Sequence, residues 1–166
     1  MFNLFQILIV VSFTIQLLFI EACAQNKSFL SSDGRFSIEL QATPTEDKNS
    51  AEVKLGGKKL WWRAERATFM VSYVDNPDAK KENAERAVIA SADGYASVIP
   101  KAAEVISRKK IALEGHPGFE VISREKDGYT AVTRYFMVNT RLYCIMALWT
   151  DGQNDTDVLR TLDSFN

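Results

Sequence analysis

Residues 103–149 read AEVISRKKIALEGHPGFEVISREKDGYTAVTRYFMVNTRLYCIMALW. Four strand-like runs stand in this stretch, at 103–113, 118–126, 129–138 and 142–149. The punctuation between them is short: Gly115-His116-Pro117-Gly118, Asp127-Gly128 and Asn139-Thr140. Asp-Gly between two such runs is a hairpin signal. Connections this short predict antiparallel pairing, because a parallel crossover needs a dozen or more residues. In 142–149 both faces are apolar or aromatic, which predicts a central strand covered on both sides.

Upstream, Ser32-Asp33-Gly34 marks a turn, and 35–41 alternates with Phe36, Ile38 and Leu40 on one side. That is a half-buried strand, ended by Pro44. Residues 45–50 are polar and read as a loop, and 51–55 as a short strand with Val53 and Leu55 inward. Gly56-Gly57 turns the chain into a strand over 58–66, and a further strand covers 68–74 before Asp75-Asn76-Pro77. Asp78 is the expected N-cap of a helix over 79–98. Its stripe is Ala84, Val88, Ser91, Tyr95 and Val98, with Glu82 and Arg86 as a favourable i,i+4 pair. Gly94 weakens its end and Pro100 lies beyond it. After Asp151-Gly152, Asp155 or Thr156 is expected to cap a last helix with Val158, Leu159, Leu162 and Phe165 on its apolar side. Strands grouped in runs around single helices predict the α+β class: a twisted, mostly antiparallel β-sheet with two α-helices packed on it.

The first residues are not part of that domain. No charge occurs between Phe2 and Ile20, and Ala22-Cys23-Ala24 supplies the small-x-small pattern of a secretory signal peptide. Residues 1–24 are expected to be removed by cleavage between Ala24 and Gln25, leaving one domain over 25–166. Two alternatives stand beside this one: a retained membrane anchor through residues 4–20, or a lipoprotein modified at Cys23. Polar Asn3, Gln6, Ser12, Thr14 and Gln16 speak against the anchor, and Glu21 beside the site speaks against the lipid. The expected location is therefore periplasmic or extracellular. Cleavage leaves Cys144 as a lone cysteine inside an apolar strand, where it reads as a small buried hydrophobe.

The chain has 166 residues, 46% of them hydrophobic and 25% charged, with 20 Lys and Arg against 21 Asp and Glu. This is globular composition with a core of ordinary size. The balanced charge argues against a nucleic-acid binder. One His, His116, in an expected Gly-Pro turn, and two Cys offer no soft-metal ligand set. Asp151, Asp155 and Asp157 precede the last helix, where acidic side chains favour a helix N-terminus; a carboxylate-bound Ca²⁺ or Mn²⁺ is the alternative reading of the three. Neither a Gly-x-Ser-x-Gly elbow nor a Gly-rich phosphate loop is present. No metal and no cofactor are expected.

Two charged segments remain. Arg108-Lys109-Lys110 reads as a solvated strand edge. In Lys58-Lys59-Leu60-Trp61-Trp62-Arg63 the alternation places Leu60, Trp62 and Ala64 on one face and Lys59, Trp61, Arg63 and Glu65 on the other. Trp62 is then core. Trp61 sits among charges, where an aromatic beside Arg suits an interface. Trp61, Arg63 and Lys59 are the expected surface for a ligand or partner.

Four segments carry a resemblance: Gly115-His116-Pro117-Gly118-Phe119-Glu120, Thr133-Arg134-Tyr135-Phe136, Asn139-Thr140-Arg141-Leu142-Tyr143 and Leu162-Asp163-Ser164-Phe165. Together with the element order they resemble the PsbP-like fold, whose members include photosynthetic lumen proteins and a eukaryotic Ran-binding import factor. The resemblance covers residues 103–166 by motif and the first half by element order, with Thr140 as an insertion. It implies an assembly or accessory role without catalysis. The expected function is an exported, monomeric binding or interaction module for an unknown protein or small ligand. A secreted hydrolase working through carboxylates is the alternative.

Overall fold

The computed structural model describes residues 27–98, 103–125, 127–151 and 155–166. The expected signal segment, its Ala24–Gln25 cleavage site, Cys23, Pro100 and Gly152 lie outside the described residues, as do the side chains of Tyr95 and Val98.

The strands are β1 (Lys27–Ser31), β2 (Phe36–Leu40), β3 (Thr45–Glu46), β4 (Lys58–Arg63), β5 (Ala67–Asp75), β6 (Ala103–Leu113), β7 (His116–Glu125), β8 (Tyr129–Val138) and β9 (Arg141–Thr150). The helices are α1 (Ala51–Lys54), α2 (Ala84–Val98) and α3 (Thr156–Asp163), with a 3₁₀ turn at Lys81–Asn83 before α2. β3 to β9 form one antiparallel sheet in the order β3-β4-β5-β9-β8-β7-β6, and β1 and β2 form a separate hairpin. After β5 the chain passes through α2 to the far edge. The four-strand meander β6 to β9 then returns until β9 pairs with β5.

This places β9 at the centre. Its odd-numbered residues Tyr143, Ile145, Ala147 and Trp149 are buried in the main core with Trp62, Phe69, Val71, Val132 and Phe136. The β1–β2 hairpin and α3 cover that face through Phe36, Ile38, Leu40, Val158, Leu162 and Phe165. The opposite face packs α2, through Ala84, Val88 and Ala92, against Val121, Tyr135 and Met137. The molecule is thus three layers deep, and the expected α+β class is the one observed.

Two hydrogen-bonding clamps hold the hairpin layer, one to the sheet and one to the C-terminal segment after α3. Arg141 reaches both carboxylate oxygens of Asp75 at 2.7 Å, donates to the Asp33 carbonyl at 2.6 Å and stacks on Tyr73 at 4.5 Å. Tyr143 donates to the Gly34 carbonyl at 2.7 Å. At the other end Ser37 and Asn166 exchange two backbone hydrogen bonds, and the Ser164 hydroxyl accepts from the Glu39 amide.

Several local expectations are corrected. Residues 51–55 are not a strand: Ser50 caps Val53 at 3.3 Å and makes a single helical turn, leaving Leu55 70% exposed. Asp78 does not cap α2, because Asn76 folds back on Asp78 and Asn83 accepts from Lys80 to form the 3₁₀ entry. His116 belongs to β7, paired with Leu113. The turn is Glu114-Gly115, both at positive φ (49° and 83°), as a two-residue hairpin loop demands. β1 and the two-residue β3 carried no alternation long enough to be seen in sequence.

Candidate functional site

β4 alternates as its sequence predicts. Leu60 and Trp62 turn to the main core, where Trp62 is 2% exposed and stacks on Phe69 at 5.2 Å. Lys59, Trp61 and Arg63 share the other face. Trp61 is 42% exposed and lies opposite Thr45 on β3 and Met70 on β5. Arg63 is exposed opposite Thr68, and Lys59 faces Asp47 at 3.9 Å. The fold therefore brings the three expected residues into one short row. The row stands near a sheet edge because β3 pairs with only two residues of β4. α2 packs on β7 and β8, toward the other end of the sheet.

The core face of the same edge carries a feature the sequence did not announce. A cavity of about 540 Å³ opens between the hairpin and β3–β4, with Phe29, Leu40, Ala42, Pro44 and Leu60 as its apolar wall and Lys27 and Glu46 as its charged groups. Its volume lies in the range of small-ligand sites. Leu60 is the signal that pointed there, since the alternation puts it opposite Trp61. The hairpin supplies the rest of the wall, and its docking angle is a tertiary property.

The remaining expected candidates are engaged elsewhere. Asp151 bonds Thr130 and pairs with Arg124 at 2.9 Å, and Asp157 pairs with Arg160 at 2.9 Å. Asp155 occupies the N-cap position of α3 without a side-chain cap. Among the described residues no group of three metal-ligating side chains forms. In the basic run, Arg108 pairs with Asp93 and Lys110 with Glu85 at 2.5 Å, both on α2, while Lys109 reaches Glu120 at 3.0 Å through the other face. Burial pushes the Cys144 thiol up to about 12, which keeps it protonated and unreactive at neutral pH. Among the described residues no helix is long and apolar enough to cross a membrane.

No family model matches the sequence, and no curated protein matches it. Solved structures do. The chain is similar to cyanobacterial PsbP from Synechocystis sp. PCC 6803, with a TM-score of 0.60 and 11% identity over 89% of this chain and 95% of that one. A Bacteroides thetaiotaomicron protein aligns with a TM-score of 0.46 and 12% identity, over 86% of this chain and 48% of that one. A Pseudomonas aeruginosa protein of unknown function aligns with a TM-score of 0.43 and 12% identity, over 76% and 83%. The fold is PsbP-like. At this level of identity the likeness is one of architecture, and function has to be argued from the side chains.

Proposed function

We propose that the protein is an exported, non-catalytic accessory module that holds a partner protein at its β3–β4 edge. Trp61 is the anchor, and Arg63 and Lys59 flank it. The observation that carries this reading is Trp61 itself: a large aromatic, 42% exposed, in register with Met70 and beside an exposed Arg. Trp and Arg are the residue types enriched where interface energy concentrates. The 540 Å³ cavity on the other face of β4 adds an apolar recess at the same edge.

The hydrolase alternative requires two carboxylates converging on one reacting group. Glu120 and Asp163 do line a common cavity, but each already pairs with Arg134 at 2.7 Å. No acid in the described residues stands free beside a candidate nucleophile in that cavity, so the accessory reading is preferred.

The test is chemical cross-linking in the native host with intact protein and Trp61→Ala, followed by affinity measurement on the partner recovered. Truncating a central Trp anchor is expected to weaken binding by roughly 30-fold, about 2 kcal/mol. Trp61→Ala binding the same partner with unchanged Kd would remove the proposed surface. Export is tested by the N-terminus of the protein from that host: Gln25 supports cleavage, and Met1 or a lipid on Cys23 supports an anchored form.

A further inference from the structure

A second cavity, of about 240 Å³, lies on the hairpin-covered face between β6–β7 and α3, away from the β3–β4 edge. Its apolar lining includes Phe136 and Phe165, stacked at 6.2 Å, with Leu162 beside them. Four charged side chains also line it, and they are joined end to end. Lys109 meets one oxygen of Glu120 at 3.0 Å, Arg134 Nε meets the other at 2.7 Å, and Arg134 Nη1 meets Asp163 at 2.7 Å.

The chain alternates in sign: Lys109, Glu120, Arg134, Asp163. Its two inner members are enclosed, with Glu120 and Arg134 side chains 4% and 14% exposed. Its two outer members are open, with Lys109 58% and Asp163 63% exposed. Burial raises the Glu120 carboxyl, but the hydrogen bonds and charges of Arg134 and Lys109 outweigh it and hold the group below the usual glutamate range. Glu120 therefore stays ionised and keeps the array rigid at neutral pH. Each outer group has spare hydrogen-bonding capacity: an ammonium has three donors and a carboxylate about four acceptor sites. The half-buried Ile111 and Leu113 supply the accessible apolar wall, since Phe136 and Phe165 are buried beneath it. An array that presents a cation at one end, an anion at the other and apolar surface beside them is complementary to a molecule with the reverse arrangement. The volume is below that of drug-sized sites, which limits the ligand to something small.

We propose that this cavity binds a small zwitterion of the amino-acid type, with its carboxylate on Lys109, its ammonium on Asp163 and its apolar side chain against Ile111 and Leu113. The site is distinct from the Trp61 edge, so each proposal stands or falls alone.

The experiment is isothermal titration of the protein as purified from its host with L-phenylalanine, L-leucine and the dipeptide L-leucyl-L-phenylalanine. N-acetyl-L-phenylalanine and L-phenylalaninamide, which each lack one charge, are the comparison. At least one zwitterion is expected to bind, and both capped forms are expected to bind about ten-fold more weakly or less, since a charge-assisted hydrogen bond is lost in each. Asp163→Asn and Lys109→Met are expected to weaken the zwitterion to a similar extent. Both positions are largely exposed, both changes keep the Glu120–Arg134 pair, and a cooperative thermal transition verifies folding. No binding of any zwitterion at millimolar concentration overturns the proposal. Equal binding of the capped forms overturns it as well, and that comparison does not depend on the variants.

Discussion

Trp61 and Trp62 are neighbours in the chain and sit on opposite faces of β4. Trp62 is 2% exposed and its Nε1 has no hydrogen-bond partner, so its value to the fold is packing. Trp62→Ala is expected to cost about 3–5 kcal/mol in chemical denaturation, and Trp62→Phe much less. Trp61→Ala should stay within about 1 kcal/mol of the parent. Glu120 makes a prediction about acid. Its folded pKa is lowered, so its contribution is fully present above the unfolded glutamate value, about 4.3, and is lost as pH falls through the folded one. The groups facing it are Arg134 and Lys109, with Asp163 beyond Arg134. Asp33 and Asp75 are lowered too, through Lys58 and Arg141, and they add loss in the same direction. Glu120→Gln should therefore destabilise at pH 7 by about 1–3 kcal/mol and show a smaller difference from the parent below about pH 4. Urea midpoints measured for both proteins from pH 3 to 7 check this. Cys144 belongs at the same scale. With its thiol pushed up to about 12, Cys144 should react far more slowly with a disulfide reagent in the folded protein than after unfolding.

At the scale of elements, the strands were legible wherever alternation ran for five residues or more. The meander appears in the structure within a few residues of its expected bounds, with β9 central; its odd-numbered face is buried, and the expected cover on the other face is partial, because α2 packs on β7 and β8. α1 was not legible as a helix. Its Val53 and Leu55 spacing fits a strand, and only the Ser50 cap decides otherwise. β6 is the long free edge of the sheet, and it carries two devices that oppose edge-to-edge pairing: a bulge between Val105 and Ser107 and the Arg108-Lys109-Lys110 run. Those cations are tied to α2 and Glu120 as well, so they join layers while keeping the edge soluble. The β7–β8 contact contains a steric requirement that the Gly-Pro motif hid. A Cβ on Gly118 would lie 2.5 Å from the Phe136 ring and 2.8 Å from the Tyr135 carbonyl. Gly118→Ala is expected to cost about 1–3 kcal/mol, read as a lowered thermal midpoint, and to disturb the Phe136–Phe165 stack.

At the scale of the molecule, the central pair β5–β9 is buried on its core face and mostly half-buried on the other, while β3 and α1 stand at the rim. Native-state hydrogen exchange should find the slowest amides in β5, β8 and β9 and fast exchange in β3 and α1. Both cavities occur where a cover layer stops short of the sheet. The hairpin leaves the 540 Å³ cavity beside β3–β4, and α3 leaves the 240 Å³ cavity beside β6–β7.

Sequence alone was enough for the α+β class, the antiparallel meander, the central place of β9 and the split between Trp61 and Trp62. All of these follow from local period and short turns, which act within a few residues. It also placed Lys59, Trp61 and Arg63 in one row. It did not reveal that Glu120, an acid among apolar neighbours on β7, would meet Lys109, Arg134 and Asp163. Nor did it reveal that Arg141 would clamp the hairpin turn through Asp75 and Asp33. Lys109, Glu120 and Arg134 face one another across three consecutive strands, while Asp163, Asp75 and Asp33 are brought in from further along the chain, and charge pairing of that kind depends on distances of a few ångströms. Strand register sets those pairs, and the docking of α3 and of the hairpin onto the sheet adds Asp163 and the Asp33 carbonyl, so the cavities and their charges were decided by tertiary structure.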